Sequence, residues 1–387
     1  MPFMSANAFT ILGVETTKGT LSSALKSVPL DAPQITPQQK RLRDAALRGS
    51  PIDLYGMVAG VRNDMYDCKG NVFADTFPIL LRSFLGSPDM VTAAPTNTTL
   101  AAGATAGAAT ISTVATIPAG SAITFGTAPT AESHVVSAVS GSGPFTVTLT
   151  QPVHYNQLSG IPVAGLTAHK IGIHNDQVGS QPPGVSLQHF DGANAFQLLA
   201  GQGDELDINF GTEEAFSFTA KWLAQAFTTI STPSPSFSTE IFVPAWSGQS
   251  TLNGTTSAVI NTGKLNIKRG TEAIFTQGQQ SPHALFAGPC AVSGDMTFVV
   301  ESGDTTLTTA LATGTIPVIL NLVDPNTGHF VHLQMSAVQL YDPKRTEGKI
   351  YTEVATSFVA EGNATDAVTG GEAQIVATVG NAQSAAY

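Results

Sequence analysis

Apolar positions along this chain change their period, and the changes mark its elements. Phe77, Leu80, Leu81, Phe84 and Leu85 recur at i, i+3, i+4, i+7 and i+8, which is one face of a helix. Asp75 and Thr76 stand where that helix would start, Pro78 suits its first turn, and Gly86 closes it. A second helix is predicted over residues 36–47. There Thr36 is placed to cap, Pro37 takes the first helical position, and Gln39 follows three residues after the cap. Gly49 would stop it, with Pro51 beyond. The pattern thus predicts one or two flanking helices.

Elsewhere the period is two. Residues 109–114, 121–125, 133–139 and 145–149 are short β runs, and Phe145, Val147 and Leu149 alternate with Thr146, Thr148 and Thr150. Gly120, Pro129 and Gly141-Ser142-Gly143-Pro144 supply turns between them, so this stretch reads as a small β-sandwich. Further on, residues 265–267 and 296–300 alternate, and 316–323 and 330–340 flank a hairpin loop at 324–328. A charged turn at 342–348 is predicted to lead into a strand over 349–358. Residues 216–227 suit either a strand or a helix. The small, polar stretch 363–387 predicts an arm that orders only against a neighbour.

Charge divides the chain more sharply than hydropathy does. Residues 96–171 contain only two charged side chains, Glu132 and Lys170. Residues 1–95 carry nine Lys/Arg and eight Asp/Glu, and 172–387 carry seven and nineteen. A shift on both sides predicts a domain inserted at 96–171 into a discontinuous host of 1–95 and 172–387. The last section alone sums to −12 (seven minus nineteen), so the chain is a poor nucleic-acid binder but a suitable wall for DNA to slide past. No run approaches the ~18 apolar residues of a membrane span. The first residues have neither the basic nor the apolar region of a secretory signal, so Cys68 and Cys290 are expected to be buried thiols.

No phosphate-binding glycine loop, dinucleotide fingerprint, zincin helix or nucleophile elbow occurs. His329 and His332 tempt as a metal pair, but residues three apart on a strand point to opposite faces. The acids Asp204, Glu205, Asp207, Glu213 and Glu214 lack the positions of a calcium loop. They read either as solvated loop charges or as a negative patch facing something that must not stick. No cofactor is predicted, and an enzyme is not the reading favoured.

Three segments resemble the major tail tube protein of long, non-contractile phage tails. The first runs from Leu42-Arg43-Asp44 through Arg48-Gly49-Ser50-Pro51 and Gly70-Asn71-Val72-Phe73-Ala74-Asp75 to Leu85-Gly86. The second is 96–171 itself, with Glu132-Ser133-His134-Val135-Val136 and Phe145-Thr146-Val147-Thr148-Leu149, similar to β-domains that decorate phage and cell-surface proteins. The third is Lys264-Leu265-Asn266-Ile267-Lys268-Arg269 followed by Val292-Ser293-Gly294-Asp295-Met296. The resemblance implies a mainly β fold: a sandwich or barrel core with flanking helix, decorated by an inserted β-sandwich. It also implies six-subunit rings stacked into a hollow tube in the virion tail, assembled in the host cytoplasm without membrane insertion of this chain. The tube would form around a tape-measure protein, meet terminator or tip proteins at its ends, and later pass double-stranded DNA. Asp204, Asp207, Glu213 and Glu214 are then the candidate lumen-facing acids, and Lys40, Arg41, Arg43 and Arg48 the candidate subunit-interface bases. A receptor- or carbohydrate-binding β-sandwich is the alternative.

Overall fold

The computed structural model describes residues 5–46, 48–49, 52–175, 181–211, 213–256, 260–301, 308, 311–312, 314–348 and 350–387. In chain order the elements begin with β1 (Phe9–Val14), β2 (Lys26–Val28), β3 (Asp31–Asp44), β4 (Gly56–Asn71), helix α1 (Phe77–Leu85) and β5 (Met90–Thr92). The charge-poor segment supplies β6 (Thr98–Thr99), β7 (Thr110–Thr113), β8 (Ala122–Phe125), β9 (Glu132–Ser140), β10 (Phe145–Leu149) and β11 (Pro162–Gly172). There follow β12 (Val185–Phe190), β13 (Ala195–Gly211), β14 (Ser217–Ala224), β15 (Thr228–Ile230), β16 (Thr251–Leu252), β17 (Thr255–Thr256) and β18 (Ile260–Lys268). A separate hairpin of β19 (Glu272–Ile274) and β20 (Ala284–Phe286) precedes β21 (Ala291–Val299), β22 (Ile316–Val323), β23 (Phe330–Glu347), β24 (Thr352–Ala360) and β25 (Val376–Asn381). The fold is mainly β, as expected.

An antiparallel sheet in the order β3-β4-β14-β13-β18-β21-β24-β23 forms the main wall. The first half of β13 leaves this wall and pairs with β12, which continues to β1 and β2. Side chains alternate strictly along β14: Phe218, Ala220, Trp222 and Ala224 are buried while Ser217, Thr219, Lys221 and Leu223 are not. The buried set joins Leu206, Ile208, Leu265, Ile267, Met296 and Phe298 in one core. Helix α1 seals it, with Phe84 5.5 Å from the Trp222 ring and Phe77 5.8 Å from Phe218. Gly86, at φ 99°, ends the helix by donating its N–H to the Arg82 carbonyl.

The other predicted helix is a strand. Residues 36–44 lie in β3, which pairs with β4 from Asp31↔Lys69 to Asp44↔Gly56, and residue 47 of the expected helix lies outside the described residues. The helical signals there were local, and the segment carries no apolar stripe for a helix to bury. Cross-strand pairing with β4 satisfies the backbone instead, and Pro37 is tolerated because, among the described residues, β3 pairs on one side only. Residues 342–348 are likewise mostly strand: β23 runs on to Glu347, with a bulge after Tyr341 and Asp342 at φ 49°. The stretch 363–387 is not a free arm. Its β25 lies between β11 and β23, and every residue of it is buried. Residues 216–227 resolve as strand β14 with β15 beginning after it.

Residues 96–171 gather a second apolar cluster, from Leu100 to Val163, distinct from the main core. A third, smaller cluster joins Ala122, Val135, Leu166 and Ala168 to Val323 and Phe330 of the β22–β23 hairpin. Polar bonds tie the same seam: Ser133 Oγ donates to the Gly328 carbonyl at 2.6 Å and Asn321 Nδ2 to the Ser133 carbonyl at 2.8 Å. Glu132 is buried just inside. Burial pushes its carboxyl up, but His134 and the His154 and Gln157 donors outweigh that and hold it below the usual range. Strand β11 then runs on from this region to the sheet that holds β25, pairing with β8 through Leu166 and with β25 from Thr167.

His332 lies in that seam, opposite Asn321 and Thr378, and burial, assisted by His134, pushes its pKa down to about 3. A histidine depressed from its ordinary 6.5 takes up its proton in the unfolded chain first. Its neutral burial therefore costs nothing above about pH 6.5 and drains stability progressively as pH falls towards 3. In His332→Leu, the slope of stability against pH in that window should shrink by close to one proton equivalent. Acid titration of denaturant midpoints measures it, and an unchanged slope would mean that His332 is not buried neutral.

Candidate functional site

The face of the main wall turned away from the core is polar, and its charges alternate in sign from strand to strand. Register places Asp67 opposite Lys221, Lys221 opposite Glu205, and Glu205 opposite Lys268. One step along, Asp207 lies opposite Asn266, and Lys264 opposite Asp295. Lys221 Nζ lies 2.8 Å from Glu205 and Lys264 Nζ 3.0 Å from Asp207. Asn266 Nδ2 bridges both acids, at 3.1 Å from Glu205 and 2.6 Å from Asp207. The hydrogen bond from Lys221 is the main reason the Glu205 carboxyl stays below its usual range, and the same bond raises Lys221. Asp67 is raised instead, by burial first and then by Asp204.

This lattice places the expected acids differently from the sequence reading. Asp204 and Asp207 do not sit in a loop; they lie in the middle of the long strand β13. Asp204 accepts a hydrogen bond from the Thr271 N–H at 2.8 Å, and Asp207 has a lysine and an asparagine as partners. Glu213 and Glu214 are exposed, past the end of β13. Proximity in sequence suggested one acidic patch, but a strand and a turn separate its members. Lys264 and Lys268 went unremarked as their partners, although the alternation Lys264-Leu265-Asn266-Ile267-Lys268 already put both on one face. Which strand they would oppose was not legible.

A second feature rises from the edge of the wall. β4 pairs with β14 only from Asp64 to Asn71, so residues 56–63 and their partners in β3 form a two-stranded arm that no further strand among the described residues flanks, though the Arg62 N–H donates to the Gln280 carbonyl at its root. Lys40, Arg41, Arg43 and Arg48 are all exposed on it. Arg43 reaches Asp53 at 3.3 Å and Arg48 pairs with Asp44. Leu42, Met57 and Val58 are 51%, 58% and 66% exposed, an apolar surface that the arm cannot bury by itself. The hairpin 324–328 and β23 separate the two tempting histidines: His329 Nδ1 meets Glu240 at 2.7 Å, while His332 is buried. No group of three metal-ligating side chains occurs among the described residues.

A broad sheet whose outer strands have no further partner among the described residues, a polar face of paired charges and an exposed apolar arm are the features that distinguish this chain. The chain belongs to the phage tail tube protein family, whose model matches residues 5–382. Membership gives it a structural role in the virion tail and implies self-assembly into a tube. A search of curated proteins returns no match to this chain. Among the described residues no helix is long and apolar enough to cross a membrane.

Proposed function

We propose that copies of this chain join edge to edge into six-membered rings, and that the rings stack into a tube that conducts double-stranded DNA. The observation that carries this reading is the eight-strand wall with two free edges. Among the described residues β3 pairs only with β4, and the second half of β23 only with β24. Unpaired edges of this length invite another chain. A strand-to-strand contact from β3 of one copy to β23 of the next joins two different surfaces, and repeated by a sixth of a turn it closes a ring and removes every edge of the wall. The tube would first enclose a tape-measure protein and meet terminator and tip proteins at its ends.

The polar face then lines the lumen in this reading, with Asp204, Asp207, Glu213 and Glu214 near the DNA path. Lys221 and Lys264 are already paired with Glu205 and Asp207, so these two offer phosphate no unopposed anchor. Residues 96–171 stand as an accessory β-sandwich domain on the outside. Two observations support an insertion: the region has its own core, and its two connections touch, since a Cβ at Gly165 would lie 2.1 Å from the Pro95 carbonyl. Because β11 re-enters the host sheet at Thr167, the removable part ends before it.

Negative-stain images of the purified chain should show hollow tubes or stacked rings. A variant lacking residues 97–164, bridged by a short Gly-Ser linker, should form them too. Dispersed particles from the intact chain would overturn the assembly reading; folded but unassembled deletion variants would overturn the accessory placement alone. Virions whose tails carry Asp207, Glu213 and Glu214 all replaced by Lys should release DNA more slowly at low salt, because each new cation holds phosphate until counterions return. Normal release from well-formed tails would place these acids away from the DNA.

A further inference from the structure

A cleft of about 340 Å³ opens where residues 96–171 meet the end of the main wall. Five rings line it. His154 and Tyr155 come from the loop between β10 and β11, Phe210 from the end of β13, Phe216 from just before β14, and Trp246 from the short turn Ala245–Ser247. Both sides are held in place. Buried Glu132 accepts the His154 N–H at 2.6 Å and the Tyr155 N–H at 2.7 Å, and the two rings meet edge to face with centroids 4.7 Å apart. On the wall side, the Phe210 and Phe216 rings lie 6.0 Å apart. Gln249, between the cleft residues Gly248 and Ser250, donates its Nε2 to the Ala131 carbonyl at 2.7 Å and so ties the wall to the strand that carries Glu132. A site built from fixed parts gives up little freedom when it binds.

The chemistry of the lining narrows the ligand. Among the described residues no lysine, arginine, aspartate or glutamate lines the cleft. Burial lowers His154, and burial followed by Glu132 raises Tyr155, so both side chains are uncharged at neutral pH. A phosphate or carboxylate would find no cation there, and an ammonium group no carboxylate. Trp246 is nevertheless 53% exposed, whereas the chain's other tryptophan, Trp222, lies in the core. Polar side chains complete the lining: Ser250, Asn261, whose Nδ2 donates to Glu353 at 2.9 Å, and His154, whose buried Nδ1 has no hydrogen-bond partner among the described residues. A wholly apolar ligand would leave that nitrogen unmatched.

We propose that this cleft binds a neutral saccharide of one or two rings. A sugar ring has apolar C–H faces and hydroxyls around its edge. Its faces lie against Trp246 and Tyr155, and its hydroxyls bond to Ser250, Asn261 and the His154 Nδ1. The volume is near the lower end for ligand sites, which sets the size. Each half of the cleft comes from a different part of the chain, so binding requires residues 96–171 to be seated on the wall. The site stands whether or not copies of the chain form a tube.

Saturation-transfer NMR on the purified full chain tests it, with cellobiose, lactose, maltose and N,N′-diacetylchitobiose as probes at millimolar concentration. At least one of the four should bind, and glucuronic acid should not displace it, since nothing in the cleft matches a carboxylate. Trp246→Ala should weaken that binding about tenfold, and Trp246→Phe, which keeps a ring, should hold it within about threefold. Phe286→Ala, which removes an exposed ring on the separate hairpin, should leave it unchanged. The exposed position of Trp246 spares the fold, and an unshifted thermal midpoint checks this. The saccharide site is overturned if none of the four binds, if glucuronic acid competes as well as the neutral sugars, or if Trp246→Ala binds like the unaltered chain. Tube formation is read separately from images, so failure here leaves the tube reading in place.

Discussion

The architecture depends on one bend in one strand. β13 belongs to the main wall in its second half and to the β12–β1–β2 sheet in its first, and the two halves meet at Ala200, which has φ 51°. A left-handed alanine costs roughly 1–2 kcal/mol and needs something to hold it. The buried carboxylate of Glu15 does so. It accepts the Ala200 N–H at 2.9 Å, the Ser186 hydroxyl at 2.9 Å and the Gly19 N–H at 2.6 Å. Gly184 leaves room for it, since a Cβ there would lie 2.4 Å from Oε2. Three donors on one carboxylate fix the angle between the two sheets, and that angle makes the space that α1 and its aromatic residues fill.

From that bend the division of the wall into two faces follows. Inward side chains are large and apolar, and burying each is worth on the order of 1.5–3 kcal/mol. Outward side chains contribute little to stability, since half-exposed ion pairs such as Lys221–Glu205 are typically worth under about 1 kcal/mol. Their value lies in balance. A surface on which each lysine has a carboxylate neighbour carries weak local fields, whatever passes over it. The arm is the exception to this economy of burial, with apolar side chains on display and charged ones around them. Arginines and prolines on its edge strand restrain indiscriminate pairing, which an exposed ribbon would otherwise invite.

The seam between residues 96–171 and the β22–β23 hairpin follows a third rule. Its apolar contact is small, and direct hydrogen bonds through Ser133, Asn321 and Gln249 fix its register. Each buried polar group there is directional, so a sliding contact would leave donors unmatched at a cost of about 1–3 kcal/mol apiece. That geometry locates the charge-poor unit on the wall more firmly than its modest apolar area would.

Periodicity alone established helix α1, strands β7 to β10 of the charge-poor segment and the 316–340 hairpin, because in each the apolar spacing, the turn residues and the length agreed; β6 and β11 of that segment went unread. The mainly β class was legible for the same reason. Where local signals stood without an apolar stripe, they misled: Thr36, Pro37 and Gln39 spelled a helix start, yet pairing with β4 made residues 31–44 a strand. Residues 363–387 looked too small and polar to order by themselves, but Ile375, Val376 and Ala377 needed only two waiting neighbours, β11 and β23. The acids at 204–207 could be read as charges but not as half of a lattice, since their lysines come from strands some 15 to 60 residues away. Composition and alternation are properties of a segment, and the sequence by itself determined those. Which edge stays open, which charge finds a partner and which histidine loses its water are properties of segments brought together, and only the tertiary structure decided them.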